Sequence, residues 1–141
     1  MTAPFSASVP ASLAIVDPRL DLAAIVSAIA GELRPDMPVG MFAELDEGQA
    51  WIERTDRPVL VLADVSVMDE MAMGWMRDWA IPAADLILIP MFDATMPDEE
   101  DRARAIGSDR VLMKPVRPAD WRAVIARYLG LPTPPGRASG R

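Results

Sequence analysis

The sequence predicts a single α/β domain on a doubly wound, five-stranded parallel sheet, with about five helices over its two faces. Three observations carry this. Short apolar runs alternate with segments of helical spacing along the chain. The strongest runs, Val59 to Ala63 and Leu86 to Ile89, are apolar at every position, as strands covered on both faces are. The 141 residues, 51% hydrophobic and 25% charged, match one ordinary domain with one core.

Leu13 to Val16 reads as a buried strand ended by Asp17-Pro18. Leu22, Ile25, Val26 and Ile29 then fall at helical spacing. Pro35 and Pro38 bracket a turn, and Met37 to Phe42 reads as a short peripheral strand. Glu44 to Arg54 reads as a helix carrying Leu45, Ala50, Trp51 and Ile52. After the strand at Val59, a helix is expected over Met68 to Trp79. It carries Met68, Met71, Met73, Trp75, Met76 and Trp79, more apolar surface than one buried face needs. That excess fits either core packing or an adaptable partner-binding face. Leu86 to Ile89 is the next strand. Thr95 and Asp98 have capping-box spacing, with Pro97 in the first turn and acids at 98 to 101 suiting the helix dipole. Val111 to Met113 is the last strand. A final helix from Pro118 sets Trp121, Val124, Ile125 and Tyr128 on one face.

Residues 1–11 read as a disordered Pro/Ser/Ala leader and 132–141 as a disordered Pro/Gly/Arg tail, leaving 12–131 as the domain. The leader has no Lys or Arg and no long apolar run, so it does not read as a secretory signal. No stretch is long and apolar enough for a membrane span, and a cytoplasmic protein is expected. The chain has no Cys and no His, which excludes disulfide scaffolds, thiolate or imidazole zinc sites and His-dependent triads. Any metal must be a hard cation on oxygen ligands. A net charge of −7 opposes nucleic-acid binding through the bulk surface.

In such sheets ligands bind beyond the carboxyl ends of the strands. There stand Asp17, Asp64, the segment Pro90 to Thr95, and Lys114. Asp17 and Asp64 are candidates to share a Mg²⁺, and Lys114 to pair with an anion brought beside it. A carboxylate beside a divalent cation and a lysine is chemically an acceptor for a phosphoryl group. Asp17 before Pro18 also fits a helix N-cap. Asp64 ends a wholly apolar strand, with no helical pattern before about Met68. Lys114 is the only lysine among 14 basic residues, and its compact charge is not interchangeable with an arginine fork.

Over roughly residues 12 to 130 the chain resembles the receiver domain of two-component response regulators. "LAIVDP" is similar to the first strand with its acidic site, and "PVLVLADVSVMDEM" to the third strand with its phospho-accepting aspartate. "DEEDRARAIGSDRVLMKPV" resembles the helix after the fourth strand, the Gly107 loop and the Lys-Pro that ends the fifth. The resemblance implies a flavodoxin-like sheet of order 2-1-3-4-5. It implies Asp64 as phosphoacceptor, Asp17 with Asp64 as Mg²⁺ ligands, Lys114 as phosphoryl contact, and a cis peptide before Pro115. It also implies a histidine kinase or phosphotransfer protein as donor.

The chain departs from the family pattern at several positions. Pro18 stands where a second acid is usual, with Asp21 a helical turn away; Met68 and Ala72 replace a proline and a glycine. The hydroxyl that ends strand four in receivers corresponds to Pro90 by strand register, or to the Phe92–Thr95 stretch by counting from Asp64. Thr95 is the one hydroxyl nearby. The reading is an atypical single-domain response regulator that signals by binding a downstream protein, not by catalysis or contact with nucleic acid. The alternatives are a pseudo-receiver that is never phosphorylated and acts as a constitutive interaction module, or a small α/β nucleotide-binding protein or enzyme. Against the last, "DPRLDL" stands where a Gly-rich phosphate loop would follow strand one.

Overall fold

The computed structural model describes residues 9–68, 74, 86–106 and 110–131. Its strands are β1 (Ser12–Val16), β2 (Val39–Phe42), β3 (Val59–Asp64), β4 (Leu86–Asp93) and β5 (Leu112–Lys114). Its helices are α1 (Leu20–Leu33), α2 (Leu45–Ile52), α3 (Pro97–Ala105) and α4 (Pro118–Tyr128), with a 3₁₀ turn at Val65–Val67. The strands form one sheet of order β2-β1-β3-β4-β5, and every pairing is parallel. The helix expected over Met68 to Trp79 lies outside the described residues except for Met68 and Gly74, as do the leader through residue 8, the tail from 132, and Gly107. No helix among the described residues is long and apolar enough to cross a membrane.

Alternation along each strand divides the core in two. Leu13, Ile15, Leu60, Leu62, Ile89 and Met91 meet Ala23, Val26, Ile29 and Ala30 of α1 and Trp121, Val124 and Ile125 of α4. Ala14, Val16, Val59, Val61, Ala63, Leu86 and Leu88 meet Leu45 and Ile52 of α2, Met68, and Ala103 of α3. Both sheet faces are covered, which is why β3 is buried at all six positions. Each Val, Leu, Ile or Met among these withdrawn from water contributes about 1.5–3 kcal/mol.

Two local expectations need correction. Strand four does not stop before Pro90; it runs to Asp93. Pro90 pairs in register with Ala63 of β3 and lies just ahead of the first β4–β5 pair, Met91 with Leu112. A proline without N–H is tolerated where a ladder is still incomplete. In α1 the buried residues are Ala23, Val26, Ile29 and Ala30, while Ile25 is exposed.

Candidate functional site

β1, β3 and β5 each deliver one charged side chain to the carboxyl edge of the sheet. Val16 and Ala63 are register partners, so Asp17 and Asp64, each the next residue, emerge side by side. β5 ends at Lys114, level with Asp93 of β4. The Lys114–Pro115 peptide is cis, as the resemblance implied.

The two aspartates are held alike. Asp17 Oδ1 accepts the backbone N–H of Arg19 at 2.8 Å, and Asp64 Oδ1 accepts that of Ser66 at 2.8 Å. The second oxygen of each takes the same ammonium: Lys114 Nζ donates to Asp17 Oδ2 at 2.6 Å and also to Asp64 Oδ2. Asp17 is 1% exposed and Asp64 5%, so both charges sit out of water and depend on that ammonium. Burial draws the Lys114 pKa down, but the hydrogen bonds and charges of Asp17 and Asp64 outweigh it. The ammonium is left above its ordinary value.

Asp17 is not the N-cap of α1. Arg19 is, and Asp17 lies two residues ahead with its carboxylate turned to Lys114. Asp64 does cap a helix, the 3₁₀ turn at Val65–Val67, which begins at once and not at Met68. The capping box at Thr95 does not form either. Met96 is the N-cap of α3, without a side-chain cap. Thr95 is drawn back by a nearer acceptor, donating its N–H and its hydroxyl to Asp93 Oδ1. Asp93 in turn gives its own N–H to Glu99 Oε1 at 3.0 Å. The two hydrogen bonds from Thr95, led by its backbone N–H, hold the Asp93 carboxyl below its ordinary pKa. At the end of β4, Met91 is level with Asp64, followed by Phe92 and Asp93; none carries a hydroxyl.

Asp64, Ser66 and Lys114 open onto a cleft of about 560 Å³ also lined by Pro18, Arg19, Asp21, Asp93, Met96 and Glu99. Arg19 and Ser66 are site residues that pattern reading missed. The signal for both is an aspartate two positions earlier whose carboxylate turns back onto their backbone N–H. A further missed contact ties α3 to this region: Arg102 donates to the backbone carbonyl of Met68.

The donor set is right in kind for Mg²⁺, oxygen only and at a solvent-reaching edge. It is short in number. No three acidic side chains converge among the described residues, and Asp21 is paired with Arg19 at 3.0 Å on the surface. Among the described residues, Asp17 and Asp64 are the acidic side chains that meet at this edge, each turning one oxygen to Lys114.

No known family model matches the chain, and no curated protein does. Solved structures do. The chain is similar to a CheY-like response regulator receiver domain protein from Methanospirillum hungatei JF-1, at 22% identity and a TM-score of 0.66, covering 84% of this chain and 93% of that one. It is similar to the signal receiver domain of a DNA binding response regulator (merR) from Colwellia psychrerythraea 34H, at 17% identity and a TM-score of 0.68, over 84% and 98% of the two chains. A third is the chemotaxis response regulator CheY4 of Vibrio cholerae, at 17% identity and a TM-score of 0.65, over 85% and 99%. With five parallel strands in the order β2-β1-β3-β4-β5, the fold of this chain is that of response-regulator receiver domains.

Proposed function

We propose that the chain is an atypical receiver whose Asp64 accepts a phosphoryl group from a histidine kinase or phosphotransfer protein and which signals by binding a downstream protein. One observation carries the reading: Asp17 Oδ2 and Asp64 Oδ2 converge on Lys114 Nζ at the rim of an open cleft. Asp64 Oδ1 is tied to the Ser66 N–H, so Oδ2 is the nucleophile. It attacks the phosphorus of a phosphorylated imidazole. The O–P bond forms as the P–N bond breaks, the electron pair returns to the ring nitrogen, and that nitrogen takes a proton from solvent. Lys114 then turns from the lost carboxylate charge to the phosphoryl oxygens. Asp17 and Asp64 would hold a Mg²⁺ weakly, and the ion supplies positive charge to those same oxygens when bound. On this reading the chain works in the cytoplasm, beside its donor.

The test is intact-protein mass spectrometry after incubation with acetyl phosphate and Mg²⁺. A single phosphoryl mass gain that Asp64→Asn abolishes is expected. An unchanged mass, with partner binding indifferent to Asp64→Asn, would favour the constitutive pseudo-receiver. The hydroxyl-free end of β4 is the observation on that side.

A further inference from the structure

Resting on the reading of Asp64 as acceptor, we infer that Arg19 is a second cationic contact for the phosphoryl group, released from Asp21 to grip it. The chain leaves β1 through Asp17-Pro18-Arg19, so an arginine follows the place where receivers have a second acid. The Arg19 backbone is pinned beside the site by its N–H on Asp17 Oδ1. Arg19 lines the cleft together with Asp64, Ser66 and Lys114. There its fork is parked on Asp21, Nε to Oδ1 at 3.3 Å and Nη2 to Oδ2 at 3.0 Å.

Charge decides the matter. Lys114 already faces two carboxylates. A phosphoryl group on Asp64 replaces one negative charge by close to two. Asp93 and Glu99 on the cleft wall add to the repulsion. One ammonium cannot balance this, and a metal held by two carboxylates is weakly held. Among the described lining residues the other cation is Arg19. Its present pair is easily given up: the Arg19 and Asp21 side chains are 69% and 72% exposed, and ion pairs so wet hold little. A guanidinium fork meets two phosphoryl oxygens as it meets two carboxylate oxygens, but the phosphoryl group carries close to two negative charges against one on Asp21. Asp21 is then a latch that stores the arginine while the cleft is empty.

The test uses the full chain as wild type, Arg19→Ala, Arg19→Lys and Asp21→Asn, with thermal unfolding to confirm folding. Inorganic phosphate is titrated by NMR, and the lifetime of acetyl-phosphate-labelled protein is followed by intact mass with and without Mg²⁺. Arg19→Ala should weaken phosphate binding and shorten the lifetime by about tenfold each, the loss expected for a charge-assisted fork. Asp21→Asn should tighten phosphate binding, and Arg19→Lys should retain only part of it. If Arg19→Ala equals wild type in affinity and lifetime, the inference is overturned while Asp64 as acceptor stands. If Asp64 gains no mass yet Arg19→Ala still weakens phosphate binding, the acceptor reading falls and the phosphoryl contact with it, leaving Arg19 as a contact for free phosphate alone. If wild type neither binds phosphate nor gains mass, both fall.

Discussion

Thr95 gives both its backbone N–H and its hydroxyl to Asp93 Oδ1, each at 2.8 Å. The one hydroxyl near the carboxyl end of β4 is therefore already bonded, and it lies two residues beyond the strand. A modification shifts a two-state equilibrium only through contacts that differ between the states. Without a hydroxyl at the end of β4 to pull toward Asp64, on the order of 1–3 kcal/mol of switching bias is missing, the worth of a hydrogen bond to a charged acceptor. Phosphorylated protein should show only modest NMR shift changes in α3 and α4. Large changes there would refute a weak switch. Thr95→Ala should leave the phosphoryl mass gain unchanged.

Removing the shared cation should be costly. In Lys114→Met the buried carboxylates of Asp17 and Asp64 lose their common partner, and breaking a buried pair in this way costs about 3–5 kcal/mol. Urea unfolding reads this directly. The double variant with Asp17→Asn should recover part of the loss, since one stranded charge is gone. A single-variant loss under about 1 kcal/mol, the scale of an exposed pair, would mean that the ammonium does not hold the site together.

The same lysine sets an alkaline limit. Its pKa is raised in the folded protein above the ordinary 10.5. The stabilisation is fully present below the unfolded value and is lost as pH climbs through the folded one. Stability measured between pH 9 and 12 should thus contain a fall above about 10.5 that is absent from Lys114→Met. Parallel curves for the two proteins would contradict the raised pKa.

Pro18 gives the metal question its own handle. Pro18 lines the cleft with Asp64, so Pro18→Asp adds a carboxylate there, next in the chain to Asp17. Mg²⁺ affinity should rise, because each added charged oxygen ligand strengthens a hard-cation site. An NMR titration checks it, and an unchanged affinity would show that residue 18 does not face the cation.

Leu62 tests the sheet itself. It is wholly buried between β1 and β4 on the face covered by α1 and α4. Leu62→Ala should cost about 2–5 kcal/mol, the range for a truncated core leucine. A loss well below that would mean that this face is loosely packed.

The order of elements was legible because a sheet covered on both sides leaves unbroken apolar runs, and β1, β3 and most of β4 are such runs. Asp17, Asp64 and Lys114 were legible for the same reason, each standing where a run ends. What local pattern misjudged was decided by partners distant in the chain or by competition within a turn. Pro90 looks like a terminator until it is seen that β5 begins pairing only at Met91. The Thr95–Asp98 spacing suits a capping box, but Asp93 takes both the N–H and the hydroxyl of Thr95, and α3 starts from Met96. Arg19 carries no pattern at all; only the turn of Asp17 onto its backbone brings it to the cleft.

The sheet is longest at its centre and shortest at its rims: six residues in β3 and eight in β4, against four in β2 and three in β5. An unpaired strand edge is a template on which further chains can add. Here each rim offers only a few free backbone groups, too short a footing for another strand to gain register. The methionines that stand out along these rims, Met41 and Met113, therefore sit on stubs and not on a long flat ribbon. The sheet that brings two acids and a lysine together at one end thus presents, along its sides, little edge for a second chain to extend.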